Sequence, residues 1–237
     1  MFDFTGQRVL VAGGSSGIGL ASAILAAQSG ARVTVAARSP ERLAKAAAQI
    51  GHGAQPAVLD LTDAGAVAGF CESSGVWDHV IVTGSDVRIA PVRELPLPDA
   101  RQAFDSKFWG FYHLARSARI APGGSLSVVA GFLATRPVAG RALMGAINGA
   151  LESLVRGLAL ELRPVRVNAV SPAVVAGGMW SHMSEEEQAA MYARVGATYP
   201  AGCVGTGEDI ARQLLLMAAT PYATGTIVTL DGGASIA

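Results

Sequence analysis

The sequence predicts one doubly wound α/β domain over residues 1–237, a parallel sheet of seven strands covered by helices on both faces. Three observations predict it. Short β-branched runs alternate with longer segments of helical period, the pattern of successive β-α-β units. The strand runs are almost wholly apolar, as strands that are dry on both faces must be. No linker divides the chain, and 237 residues of which 51% are hydrophobic supply one large core.

Each element has its own signal. VLVA (9–12) is the first strand, and the glycine-rich turn after it opens a helix to about Ser29. RVTVAA (32–37) is the second strand. Ser39 and Pro40 are the N-cap and first position of a helix that fades before Gly51. QPAVLD (55–60) is the third strand, residues 63–73 the next helix, and DHVIVT (78–83) the fourth strand. A proline-containing loop over 84–98 leads to Asp99 and Gln102, spaced as a capping box for a helix to about Arg119. SLSVVA (125–130) is the fifth strand. In RALMGAINGALESLVRGLALEL (141–162), Leu143, Ile147, Leu151, Leu154, Leu158 and Leu162 recur at spacings of three and four, one face of a long helix that Pro164 stops. VRVNAVS (165–171) is the sixth strand. Ser184 with Glu187 opens a helix in a Met-rich insertion, Thr206 with Asp209 opens the last long helix, and TIVTLD (226–231) is the seventh strand.

Composition excludes several classes. Eighteen basic and 18 acidic residues give zero formal net charge, and without a basic run nothing attracts nucleic acid or an anionic membrane. Cys71 and Cys203, both read as packed thiols, suit a reducing cytoplasm rather than a disulfide framework. His52, His79, His113 and His182 are scattered, so no metal site is expected. MFDFTGQR lacks the basic and apolar regions of a signal peptide. Residues 9–31 are uncharged, but the glycines and serines inside them mark a turn, not a membrane span.

Ligands of such a sheet bind beyond the carboxyl ends of its strands. AGGSSGIG (12–19) lies there. Gly13, Gly17 and Gly19, with Ser15, Ser16 and Ile18 between them, let backbone N–H groups at a helix N-terminus approach a pyrophosphate. The bland alternative is a turn whose glycines only ease packing. At the end of the second strand an NAD site places an acid for the ribose 2′-OH. Here Arg38 stands with no carboxylate in reach of the strand end, and a guanidinium suits a 2′-phosphate. NADP(H) is therefore the expected cofactor, NAD(H) and a merely solvated arginine being the alternatives.

Five segments now fall in a recognisable order: the glycine turn, LDLTD (59–63), GFYHLARSA (110–118), GALESLVRGLALELRPVRVNAVSP (149–172) and TGTIVTLDGG (224–233). Together they resemble the short-chain dehydrogenase/reductase family from end to end. The resemblance implies a Rossmann-type sheet, a nicotinamide cofactor, Asp60 and Leu61 at the adenine, Val175 at the carboxamide, and a substrate flap over about 176–203. It also implies a homodimer or homotetramer, often built from the helices that carry Lys107 and Asn148.

The same register shows what is missing. The family's proton-donating tyrosine is replaced by Met144, its lysine by Asn148, its carbonyl-binding serine by Gly131 and its asparagine by Lys107. The Asn-Asn-Ala-Gly segment reads Val82, Thr83, Gly84 and Ser85; the Pro-Gly before the flap reads Pro172 and Ala173; the following threonine reads Gly177. Amine and amide have exchanged helices. This predicts that Lys107 crosses the cleft, supplies the positive charge near the ribose, and titrates low enough to move a proton; the alternative is a surface lysine. Tyr112 and His113 are expected in packing roles. Met179, Trp180, His182, Met183, Met191, Tyr192 and Tyr199, in the flap, point to a small apolar ligand, with a partner contact or a core role as the equal alternative. Three readings follow: an atypical NADP(H)-dependent oxidoreductase, a nucleotide-binding pseudoenzyme acting as sensor or partner subunit, and a non-redox lyase or isomerase.

Overall fold

A computed structural model describes residues 2–180 and 183–237. Seven parallel strands form one sheet in the order β3-β2-β1-β4-β5-β6-β7. They are β1 (Arg8–Ala12), β2 (Arg32–Ala37), β3 (Gln55–Val58), β4 (Trp77–Val82), β5 (Ile120–Val129), β6 (Arg166–Pro172) and β7 (Ile227–Leu230). Helices α1 (Gly17–Gln28), α2 (Pro40–Ile50) and α8 (Gly207–Ala219) cover one face. The other face carries α3 (Ala64–Ser74), α4 (Leu97–Phe104), α5 (Gly110–Ser117) and α6 (Ala142–Glu161), while α7 (Glu185–Gly196) belongs to the flap.

Strand alternation builds both cores. Leu10 and Ala12 face α3 and α5, whereas Val9 and Val11 face α1 and α8. On α6 the apolar stripe behaves as its spacing requires: Ile147 and Leu151 are wholly buried, with Leu143 and Leu154 packed at the margin. Side-chain caps set the starts of α2, α3, α7 and α8. Ser39 accepts from Arg42 N–H, and full capping boxes close on Ser184 with Glu187 and on Thr206 with Asp209.

One cap differs from expectation. The helix before Lys107 starts at Leu97, after Pro96, and Asp99 lies inside its first turn. Pro98 suits the unpaired first turn, and the Asp99 carboxylate binds Arg88 at 2.9 Å instead of capping. A second difference matters more. Between α4 and α5, residues Asp105–Trp109 form a π-helical turn, and Lys107 is at its centre.

Strand order reverses between β1 and β4, where the loops after the two strands part. That is the crevice of a doubly wound sheet. Gly13 (φ +89°) fits here because a β-carbon on it would meet Gly84 N at 2.3 Å.

Candidate active site

A cleft of about 600 Å³ opens at this crevice, and every residue predicted for the site lines it. Gly13, Ser15, Ser16, Gly17, Ile18 and Gly19 form one end with Arg38, Asp60, Leu61 and Gly84. Lys107, Gly131, Met144 and Asn148 form the other, with Pro172 and Val175 between the ends.

The glycine turn does two jobs. Gly19 allows close packing, since a β-carbon there would meet Gly13 O at 2.2 Å. The N-terminus of α1 has no side-chain cap and no acid in its first turn, leaving its N–H groups for an anion. The flap's short turn at Gly178–Trp180 lies over Gly17. The geometry of this end suits an anionic group.

Two cations face that end. Arg38 at the end of β2 is joined by Arg42, whose Nη2 donates to Ser16 Oγ at 2.9 Å. Sequence reading missed Arg42, although its place one turn into α2 was the available signal. The expectation that no carboxylate reaches Arg38 is wrong. Asp86, on the loop after β4, binds it at 3.0 Å, and both side chains are about half exposed. Loop closure across 48 residues brings them together, which strand-end inspection does not see. Ser106 holds this loop, accepting from Asp86 N–H and donating to Asp86 O, both at 3.0 Å.

At the other end Lys107 is buried, not on the surface. Its ammonium donates to Asn148 Oδ1 at 2.7 Å and to Ala130 O at 2.9 Å, and sits 3.9 Å from the Met144 sulfur. Burial pushes it down from 10.5 to about 8. The exchanged amine and amide therefore meet. Because Lys107 requires an acceptor, the Asn148 amide turns Oδ1 toward it, and Nδ2 points at Gly131. A β-carbon on Gly131 would lie 2.6 Å from that Nδ2. The asparagine thus fills the space a serine side chain would need.

No tyrosine lines the cleft among the described residues. Tyr192 Oη accepts from Gly177 N–H, Tyr112 packs edge-on against Trp109, and Tyr222 is fully exposed. His113 Nδ1 pairs with Leu61 O at 2.9 Å, a packing role. Of the predicted flap residues, Met179 and Trp180 line the cleft, and His182 lies outside the described residues. Cys71 is buried and Cys203 exposed, both as free thiols. Among the described residues there is no cluster suited to a metal, and no helix is long and apolar enough to cross a membrane.

A family model described as enoyl-(acyl carrier protein) reductase matches residues 12–235. A short-chain dehydrogenase/reductase of Stachybotrys chlorohalonatus, ATR9, is 30% identical over 97% of each chain. The chain belongs to the short-chain dehydrogenase/reductase family. Solved members of the family agree. A small-chain dehydrogenase in complex with NADPH is 33% identical, with TM-score 0.82 over 98% of this chain and 99% of that one. An NADPH-bound short chain oxidoreductase of Pseudomonas aeruginosa PAO1 containing an atypical catalytic center is 28% identical, with TM-score 0.91 over all of both chains. As a member of this short-chain dehydrogenase/reductase family, the chain is an NAD(P)-dependent oxidoreductase by descent.

Proposed function

We propose that this protein is an NADP(H)-dependent oxidoreductase in which the Lys107 ammonium performs the proton transfer left without a tyrosine. The observation that carries this is the buried Lys107–Asn148 pair in the cleft wall, 2.7 Å across. The NADPH complexes of two relatives, one with an atypical catalytic center, support the cofactor and the scaffold's tolerance of other chemistry.

When bound, the nicotinamide supplies a hydride. The N–H groups of the glycine turn would hold the pyrophosphate, Arg38 and Arg42 the 2′-phosphate, and Asp60 and Leu61 the adenine end. Gly84, Pro172 and Val175 would line the path to the nicotinamide. The Asn148 amide donates from Nδ2 to the substrate's carbonyl oxygen, in place of the serine hydroxyl. Lys107 Nζ gives that oxygen one proton as the hydride reaches carbon, so C=O becomes CH–OH. The neutral amine then takes a proton from water entering the cleft. An ammonium titrating at about 8 is still charged at neutral pH and releases its proton readily. Val87, Ile89, Phe132, Leu133, Met179 and Trp180 give the substrate an apolar wall. Self-association into a homodimer or homotetramer belongs to the same reading, with exposed Trp109 and Leu160 as apolar contacts.

Titration with NADPH, followed by nicotinamide fluorescence, tests the cofactor; no binding at millimolar NADPH overturns the proposal. Stereospecifically deuterated NADPH, incubated with a carbonyl and enone panel, tests transfer. Deuterium in a product is expected. Tight binding with no transfer to any member returns the chain to the pseudoenzyme reading.

A further inference from the structure

The charges of the cleft are divided unevenly. Its lining contains four cations and two acids among the described residues: Arg38, Arg42, Lys107 and Arg141 against Asp60 and Asp86. Both acids stand at the glycine-turn end. Asp86 is paired with Arg38, and Asp60 accepts from Thr62 through its backbone N–H and its hydroxyl. The catalytic end keeps Lys107 and Arg141 and no carboxylate.

Arg141 is the N-cap residue of α6, one turn before Met144, whose sulfur touches the Lys107 ammonium. It is partly buried, and its guanidinium has no ion-pair or hydrogen-bond partner among the described residues. Asp231 is felt by the same Tyr199 that feels Arg141, but its two oxygens accept from Gly233 and Ser235 N–H in the turn after β7. A partly desolvated guanidinium without a counter-ion is a ready-made partner for a carboxylate. The dinucleotide does not neutralise it on the reading above, because the phosphates lie at the far end with Arg38 and Arg42. Seven residues of α6, about 10 Å along its axis, separate Arg141 from Asn148. A small molecule spans that distance.

From this division we infer that the substrate is an organic acid with an apolar body: its carboxylate binds Arg141, its reacting carbon faces Lys107 and Asn148, and its body packs on Phe132, Leu133 and Trp180. This rests on the assignment of the catalytic end in the preceding section and narrows it to anionic substrates. An apolar ketone or alcohol without an acid group leaves Arg141 unpaired in the closed complex, an uncompensated loss.

The test is equilibrium binding, which needs no turnover. Benzoylformate and cinnamate are compared with their neutral methyl esters by calorimetry, with and without NADPH. The acids are expected to bind at least about tenfold more tightly than their esters, the scale of one charge-assisted hydrogen bond. Arg141→Gln is expected to abolish that preference and Arg141→Lys to keep part of it, while melting curves establish that both variants fold. Equal affinity of acid and ester, no measurable binding of any probe at millimolar concentration, or a preference unchanged in Arg141→Gln overturns the inference. NADPH fluorescence, read on the same samples, keeps the two proposals apart. Loss of NADPH binding with the acid preference intact removes the cofactor reading and leaves the substrate class standing. The opposite result removes only the substrate class.

Discussion

Two buried bases are held at different points of one strand. Midway along β5, Ser125 Oγ is 2.8 Å from His79 Nδ1, and Gln7 Oε1 is 2.8 Å from His79 Nε2. At its carboxyl end, Ala130 O receives the Lys107 ammonium. Both bases are pushed down by burial, His79 to about 4 and Lys107 to about 8. Yet His79 is closed in by Phe4, Gln7 and Ser125, whereas Lys107 opens on the cleft beside an amide that has a donor to spare. A displaced titration marks desolvation at both places. Only access to a cavity turns it into chemistry.

The comparison breaks most decisively at Lys107. Lys107→Met is expected to lower reductive turnover by about 10²–10⁴-fold, the usual worth of a positioned acid. In the parent, reduction is expected to fall as pH rises through about 8, as the proposed proton donor is lost. The variant's residual rate loses that inflection. A pH-rate profile retaining it would place the titrating group elsewhere.

His79 answers to acid through stability, not activity. Its folded value of about 4 lies below the free value of 6.5. Between the two the unfolded chain binds the extra proton, so acidification favours unfolding. Above pH 6.5 the stabilising contribution is complete, and below 4 it is gone. The expected slope approaches about 1.4 kcal/mol per pH unit inside that window. Urea melts at several pH values measure it, and His79→Gln flattens the curve.

A smaller effect is expected at Gly131. Its backbone is extended, so the change to alanine is limited by space alone. Gly131→Ala drives a β-carbon into Asn148 Nδ2 and should lower turnover about tenfold, the scale of one displaced hydrogen bond, with NADPH affinity kept. The same crowding bears on restoring the family's residues. Met144→Tyr, Asn148→Lys and Gly131→Ser together set two ammonium groups against each other unless Lys107→Asn is added. Carbonyl reductase activity is expected from the fourfold variant and not from the threefold one.

The smallest expected effect concerns Asp86. Asp86→Asn frees Arg38 for a phosphate and should tighten NADPH binding about two- to fivefold, the worth of an exposed ion pair. NADH binding should stay unchanged. Parallel fluorescence titrations of the two cofactors make the measurement.

Much of this was legible in the sequence because it depends on local rules. Periodicity put Met144 and Asn148 on one side of α6, and the strand before AGGSSGIG placed the glycine turn. Serine and threonine caps at 39, 184 and 206 followed from residue type and spacing. What escaped was set by contacts distant in sequence. Nothing in the loop at 84–98 announces that Asp86 folds back on Arg38. Gly131 reads as a deletion until the Asn148 amide is seen occupying its space. Arg141 reads as a helix flank until its guanidinium is seen on the cleft wall with no ion-pair partner among the described residues. Asp99 resembled a cap because its spacing fits, but Pro98 had already begun the helix.

The widened turn at Asp105–Trp109 governs the phase of its helix. Ala103 and Phe111 both enter the same core, although eight regular helical steps would leave them about 80° apart. One surplus residue absorbs about 100° of winding and brings them nearly into line. Shortening the segment by a single residue would leave both flanks seated and turn position 107 away from its amide partner. The aim of the ammonium is therefore set by a count of residues along the backbone as much as by the choice of lysine.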